Sequence, residues 1–265
     1  FFKSNKSKKR EFKKELSKIK LNDDYLFSNE LLEDKFNYYL ENGGVLLENF
    51  FSKSLIDQFY FDYKKIINEM KELNEEDKKL QVIYKVKVLN LTENLMKLWL
   101  DDRLALFMKK SLNGNVFARE YPILYYTKNN GFNVSSKEIE KKQSKNKVKA
   151  PTGWHIDHTA GLTNLHILLE DIDENSTHME FLPESHKYMN MTDGYSDEMI
   201  QNFKTKPVKC IGNKGTVYFH NGNTLHRVVS SSYKDRLSLI FSFSPGNGIS
   251  INSKHISIAL STDYN

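Results

Sequence analysis

The 265-residue chain lacks several features that would assign a protein to a class directly. Its single cysteine, Cys210, excludes an internal disulfide framework and is typical of a reducing compartment, so a cytoplasmic location is expected. No apolar run approaches the roughly 18 residues of a membrane span, and no apolar signal-peptide core is visible. Hydrophobic residues make up 39% and aromatic residues 12% of the chain, which is sufficient for a sizeable core.

The net positive charge of the chain comes from its N-terminus. The first 20 residues carry nine Lys/Arg and two Glu, a net charge of +7, whereas the whole chain carries +5, so the remainder is −2. The basic segment could tether the protein to an anionic partner, but a solvated, partly helical extension is the favoured interpretation. The slightly acidic remainder has no basic groove with interleaved aromatic residues, which argues against nucleic-acid binding. We therefore expect a basic extension over residues 1–27 and one domain over residues 28–265.

Residues 28–112 are predicted to be mainly helical. Ser28 is a typical helix cap, and Gly43-Gly44 ends the first helical segment. The acids of DDRLALFMKK come first and its lysines last, as the helix dipole prefers. The short apolar run GVLLENF (44–50) predicts a strand. The predicted helices are 28–42, 52–73, a stretch ending at Trp99, and 101–110.

Residues 113–265 are predicted to be mainly β. VFAREYPILYYT (116–127) is rich in strand-forming residues, and the segment 128–150 is a polar, lysine-rich loop. Further strands are predicted at 162–169, 178–182, 206–211, 215–220, 224–229 and 236–243. Their short spacing favours a sandwich or barrel over alternating βαβ units.

Histidine is absent from the first half of the chain, since all eight histidines lie between positions 155 and 255. In WHIDH (154–158), His155 and Asp157 are two residues apart and would point to the same side of an extended strand. A zinc hydrolase of the metallo-β-lactamase type would need a leading histidine where Gly153 stands. An Fe(II) site that binds a co-substrate and O₂ needs three protein ligands and open positions. His226 is the candidate third ligand, and His220 is its competitor.

A possible carboxylate clamp follows His226. Arg236 and Ser238 would lie on one face of the next strand, where a guanidinium fork and a hydroxyl could grip one carboxylate. A dicarboxylic keto acid that chelates iron through its 1-carboxylate and 2-keto oxygen would present its far carboxylate to such a clamp. The pattern therefore predicts an iron site combined with a keto-diacid site.

Four blocks of the chain carry a likeness to a known family: FNYYLENGGVLLENFFSKSLIDQF (36–59), WHIDH (154–158), EFLPESHK (180–187) and GTVYFHNGNTLHRVVSSSYKDRLSL (215–239). On these blocks the sequence resembles the Fe(II)/2-oxoglutarate-dependent oxygenases, specifically the phytanoyl-CoA dioxygenase-like family. Glu184 stands where the family has a glycine. The resemblance implies a mainly β fold with α, a double-stranded β-helix (jelly roll, cupin-like) core formed by residues 113–265, with the N-terminal helices packed against one sheet.

The resemblance also implies a reaction. Fe(II), 2-oxoglutarate and O₂ would oxidise an aliphatic C–H of a small-molecule or carrier- or sugar-linked substrate, releasing succinate and CO₂, with ascorbate supporting activity. Hydroxylation is favoured because Asp157 is present, whereas halogenating relatives lack that carboxylate; desaturation and cyclisation have the same start. The implied iron ligands are His155, Asp157 and His226, and the implied co-substrate residues are Arg236, Ser238, Thr163 (or its neighbour Asn164) and Tyr125.

Two alternatives stay open at this point. One is a protein hydroxylase or demethylase of the JmjC kind, and the other is a non-catalytic jelly-roll binding protein that keeps the motif by descent. The substrate and the oligomeric state are not predicted. Among the other histidines, His158 could face substrate or be structural, and His178 has no assignable role.

Overall fold

The structure, a computed structural model, describes residues 4–19, 27–72, 83–87, 91–112, 116–118, 122–127, 153–157, 163–188, 195–229, 234–245 and 258–259. Its helices are α1 (Asn5–Leu16), α2 (Asn29–Asn42), α3 (Lys53–Asp62), α4 (Lys64–Glu72), α5 (Glu93–Trp99), α6 (Asp102–Ser111) and α7 (Asp197–Gln201), with a 3₁₀ turn at Ser185–Lys187. Its strands are β1 (Gly44–Leu47), β2 (Ile83–Lys87), β3 (Val116–Ala118), β4 (Ile123–Thr127), β5 (Thr163–Leu168), β6 (His178–Phe181), β7 (Val208–Cys210), β8 (Val217–Asn221), β9 (His226–Val229), β10 (Arg236–Pro245) and β11 (Ile258–Ala259). None of these helices is long and apolar enough to cross a membrane.

Two antiparallel sheets form the β part. The larger has the order β1-β8-β5-β10-β3-β11, with β4 paired to β10 and to β2. The smaller has the order β7-β6-β9. A buried apolar cluster joins them, with Leu168 and Tyr218 from the larger sheet packed with Phe181 and Val228 from the smaller. The two sheets therefore enclose an interior, as the sequence predicts for a sandwich or barrel.

The helices cover the other face of the larger sheet. Leu165 and Ile167 of β5 belong to the same buried cluster as the helical residues Phe36 and Phe107. Phe107 packs edge-on against Phe219 of β8, with ring centroids 4.3 Å apart. Because side chains alternate along a strand, the residues between these apolar positions point into the space between the sheets. On β5 this alternation places Asn164 and His166 in that space.

The basic N-terminal segment is not a solvated extension. It forms α1, as the prediction of partial helicity requires, but Phe12 and Leu16 are buried in the main core. Phe12 stacks on Phe36 of α2 at 4.1 Å, and Lys110 of α6 is ion-paired with Glu15. Two apolar residues four apart lie on one side of a helix, which lets α1 dock despite its charge.

Two helical predictions were wrong in detail. The segment 52–73 is divided into α3 and α4 because Tyr63 leaves helical geometry, with φ −110° and ψ 12°. Residues 83–87, predicted as part of a helix ending at Trp99, form β2 and pair with β4 from Ile83 opposite Thr127 to Lys87 opposite Ile123. A neighbouring strand edge supplies hydrogen bonds that the local sequence does not reveal.

Gly43 should tolerate no side chain. It ends α2 in the left-handed conformation, with φ +75°, and an added Cβ would lie 2.3 Å from His186 Nδ1 and 2.5 Å from Thr224 Oγ1. We expect Gly43→Ala to lower the free energy of unfolding by about 2–4 kcal/mol, from backbone strain and overpacking together. Urea titration measures this. Glu41→Ala, which removes only a surface ion pair with Lys9, should cost less than about 1 kcal/mol; similar losses for both variants would contradict the argument.

Candidate metal and co-substrate site

His155 and His226 lie directly opposite each other on two hydrogen-bonded segments. The backbone N–H of each donates to the carbonyl of the other at 3.0 Å, and their ring centroids are 4.3 Å apart. Nδ1 of His155 lies 2.8 Å from the Gly153 carbonyl, and Nδ1 of His226 lies 2.9 Å from the Thr224 carbonyl. A hydrogen bond from Nδ1–H to each carbonyl orients the ring and leaves Nε2 available to a metal.

Asp157 completes a three-residue group. Its Oδ1 lies 3.8 Å from His226 Nε2, and one ligand atom from each of His155, Asp157 and His226 lies within 4.8 Å of the others. Asp157 Oδ2 accepts a hydrogen bond of 2.7 Å from Asn164, so Oδ1 is the oxygen left for a metal. Within the described part of the chain, no other group of His, Cys, Asp and Glu has this geometry.

The donor set fits a ferrous ion. Burial, followed by the neighbouring imidazoles of His220 and His155, holds the pKa of His226 well below its ordinary value. A histidine binds metal in its neutral form, so this environment favours coordination. Two imidazoles and one carboxylate, with the other positions open, are the ligand set of non-haem Fe(II) oxygenases.

His220, the competing candidate for the third ligand, lies beside the group and not within it. Its ring contacts that of His226, with centroids 4.0 Å apart and planes tilted by 34°, and burial lowers its pKa. It belongs to β8, where it pairs with Asn164 of β5. The structure therefore places His226 with the His155–Asp157 pair and His220 behind it.

Arg236 is a buried cation with unsatisfied donors. It is 1% exposed, and Nη2 donates to Thr127 Oγ1 at 3.2 Å. Among the residues that the structure describes, its Nε and Nη1 have no hydrogen-bond partner, nor does the buried Oγ of Ser238, two residues on. A buried charge whose donors are only partly satisfied is costly. A carboxylate would satisfy the guanidinium and the hydroxyl together.

Further polar residues line the interior near Arg236. Tyr125 lies opposite Ser238 in the β4–β10 pairing, and burial raises its pKa to about 12 against the opposing effect of Arg236. His166 stacks on Tyr218 at 4.4 Å, and within the described part of the chain His166 Nδ1 and the Tyr218 hydroxyl are buried without hydrogen-bond partners. Burial, followed by the charges of His220 and Arg236, lowers the pKa of His166 well below its ordinary value. The sequence analysis missed His166 and Tyr218. Both could have been found, because His166 lies two residues after Asn164 and Tyr218 two residues before His220, on the same faces of their strands.

Thr163 does not share this interior. Leu165 and Ile167, on the same side of β5, belong to the helix-facing core, and Thr163 is itself completely buried there. Its neighbour Asn164 faces the interior and contacts Asp157. Tyr126 is likewise on the helix-facing side and donates to Asp235. His158 and the loop 128–150 lie outside the described residues.

Asn164 should hold Asp157 in place for the metal. Its amide donates to Asp157, and its own oxygen accepts from Ser242 Oγ at 2.8 Å. Replacing such an indirect contact typically lowers metal affinity by roughly 10-fold or more, so we expect that loss for Asn164→Ala in a Co(II) titration. Thr163→Val, on the opposite face of the same strand, is the control and should bind Co(II) like the unmodified protein. Equal affinities for all three proteins would show that Asp157 needs no support.

Comparison with known proteins agrees with this geometry. The sequence profile of the phytanoyl-CoA dioxygenase (PhyH) family matches residues 39–230. No curated protein matches the chain. The profile match confirms the resemblance found in the sequence.

Several solved structures share the fold. The α-ketoglutarate-dependent epimerase SnoN from nogalamycin biosynthesis is 16% identical, with 82% of this chain and 84% of that chain covered and a TM-score of 0.58. EctD from S. alaskensis is 16% identical over 85% and 79% of the two chains, with a TM-score of 0.57. AviO1 from Streptomyces viridochromogenes Tue57 is 13% identical over 80% and 94%, with a TM-score of 0.53. With the observed sheets, these similarities confirm the double-stranded β-helix.

Proposed function

The chain belongs to the phytanoyl-CoA dioxygenase (PhyH) family of non-haem Fe(II)- and 2-oxoglutarate-dependent oxygenases, and from this we propose that it hydroxylates an aliphatic C–H of a small-molecule or carrier- or sugar-linked substrate. Succinate and CO₂ are the proposed co-products. Family and fold support the general class, and the side chains of this protein support the finer assignment.

The single observation that carries the proposal is the buried, incompletely satisfied Arg236. It lies on the interior face of the larger sheet, as does Asn164, which contacts the proposed metal ligand Asp157. His166 is near both regions, since its ring lies 6.0 Å from that of His220 and its strand β5 pairs with β10, which carries Arg236. A keto diacid bound between a metal at the triad and the guanidinium would satisfy both sites at once.

Each residue has a proposed task. His155, Asp157 and His226 would hold Fe(II), which when bound supplies the activation of O₂ coupled to oxidation of 2-oxoglutarate. Arg236 and Ser238 would bind the distal carboxylate of 2-oxoglutarate through charge-assisted hydrogen bonds. Burial of these groups excludes water and strengthens those bonds.

The outcome of the reaction is proposed from Asp157. A carboxylate ligand occupies the position that a halide would otherwise take, which favours hydroxylation. Proteins of the same fold include an epimerase, a carbocyclase, SnoK, and EctD, whose structure was solved with 2-oxoglutarate and 5-hydroxyectoine. These outcomes are properties of those proteins, and a small-molecule substrate is the proposal here.

Succinate formation tests the proposal. The purified protein is incubated with Fe(II), 2-oxoglutarate, ascorbate and a panel of small-molecule extracts, and succinate and products heavier by one oxygen atom are measured by mass spectrometry. We expect succinate that rises with substrate and disappears in the His226→Ala variant. A protein that binds Fe(II) and 2-oxoglutarate but forms no succinate with any extract would instead be a binding protein.

A further inference from the structure

The two metal-ligand histidines have a second pair of residues behind them. Trp154 precedes His155, and Arg227 follows His226, so both lie on the opposite side of the paired segments from the imidazoles. The Arg227 guanidinium lies 4.5 Å from the centre of the Trp154 ring, in cation–π contact. The two segments that carry His155 and His226 are therefore also joined by a side-chain contact on the side away from the imidazoles.

Two acids hold the guanidinium in that position. Arg227 Nη1 donates to Asp197 Oδ1 at 2.6 Å, and Nε donates to Glu180 Oε2 at 3.0 Å. The Trp154 indole N–H donates to the same Asp197 oxygen at 3.0 Å. One guanidinium thus connects the segment of His155, strand β6, the start of α7 and strand β9.

This cluster is shielded from solvent except at Asp197. Trp154 is 2% and Glu180 8% exposed, and the side chains of Arg227 and Asp197 are 23% and 45% exposed. Burial acts to raise the pKa of Glu180, but His178 and Arg227 outweigh it, and the pKa lies below its ordinary value. A lysine at position 227 could not reproduce the planar guanidinium that meets this buried, ionised acid.

We propose that Arg227 is a positioning residue, which fixes the two ligand-bearing segments against each other and thereby sets the affinity of the site for its metal. The inference rests on the proposed function, because it concerns the same metal site. Arg227 lies on the opposite side of the paired segments from the ligand imidazoles, so its proposed action on the metal site is indirect.

The backbone of the two segments couples the Trp154–Arg227 contact to the ligand imidazoles on the other side. Each ligand imidazole is oriented by a carbonyl of its own segment, Gly153 for His155 and Thr224 for His226. If one segment slides, its ring and its acceptor move together, and the separation of the two Nε2 atoms changes. Supporting contacts of this kind are worth roughly 10- to 100-fold in metal affinity.

The test is a Co(II) titration of the whole protein, followed by its visible absorption. Arg227→Met should weaken Co(II) binding by roughly 10- to 100-fold and change the Co(II) spectrum. Arg227→Lys should recover only part of the affinity, because lysine keeps the charge but not the planar fork. Trp154→Phe, which keeps an aromatic surface and loses the bond to Asp197, should weaken binding by several-fold.

Lys71→Met is the matched control. Lys71 is also a half-shielded cation, paired with Glu170 at 2.8 Å and lying 5.8 Å from the Tyr60 ring, but it belongs to α4. The Lys71→Met variant should have a lower free energy of unfolding and the same affinity for Co(II) as the unmodified protein. Unchanged Co(II) binding in Arg227→Met, or equal losses in Arg227→Met and Lys71→Met, overturns the inference alone. Failure of the unmodified protein to bind Co(II) or Fe(II) overturns the proposed function and this inference with it.

Discussion

Replacing His226 by alanine is expected to abolish tight metal binding. His226 offers one of three ligand atoms that lie within 4.8 Å of one another, and the two others alone form a weak chelate. Because indirect contacts to ligands already account for roughly 10- to 100-fold in affinity, we expect a loss of at least about 100-fold. Competition of Co(II) or Fe(II) between the protein and a chelating dye measures it.

His220→Ala is the control for this variant. Both histidines are buried, and their rings are in contact with centroids 4.0 Å apart, so either substitution removes the same contact and costs some stability. Only the loss of His226 should remove metal binding, whereas His220→Ala should keep it within several-fold. The opposite ranking would make His220 the third ligand and would require the site to rearrange.

Replacing Arg236 by methionine is expected to weaken the binding of 2-oxoglutarate without changing the affinity for the metal. The distal carboxylate of 2-oxoglutarate would lose a charge-assisted partner in a buried site, which typically costs about 2–5 kcal/mol. We therefore expect the Kd for 2-oxoglutarate, measured by calorimetry with Co(II) present, to rise by about 100-fold. Co(II) affinity should be unchanged, because Arg236 is not among the proposed ligands.

Stability and selectivity give two independent checks of this variant. In the absence of ligand, Arg236→Met should leave the free energy of unfolding unchanged or raise it, because Arg236 Nε and Nη1 are buried with no hydrogen-bond partner among the described residues. Pyruvate, a keto acid without the distal carboxylate, should bind the unmodified protein far more weakly than 2-oxoglutarate, and the difference should narrow in Arg236→Met. Unchanged discrimination between the two acids would place the carboxylate elsewhere.

The sequence was most informative where spacing is local. His155 with Asp157, and Arg236 with Ser238, each lie two apart, which determines a shared face without knowledge of the fold. Whether Thr163 or Asn164 faces the interior depends on the pairing of β5 with β8, where Asn164 lies opposite His220. That pairing is a property of the whole sheet, which is why the local pattern left both residues open.

Packing partners distant in the chain explain the other differences. The basic composition of residues 1–20 indicates solvent exposure, but Phe12 finds Phe36 and Phe107 as neighbours. IYKVK becomes an edge strand because β4 offers a free edge. The cluster around Arg227 combines residues 154, 180, 197 and 227, and no short motif connects these positions.

The reciprocal backbone bonds between His155 and His226 join positions 71 residues apart in the chain. A metal held by both imidazoles would act there as a non-covalent cross-link, closing that long loop in the same way as a disulfide does in a secreted protein. The entropy of closing the loop and the free energy of coordination would then be coupled, so that filling the site and folding the β half become linked equilibria. A chain whose one cysteine is buried and unpaired cannot form an internal disulfide, so the metal would provide the long-range cross-link in its place.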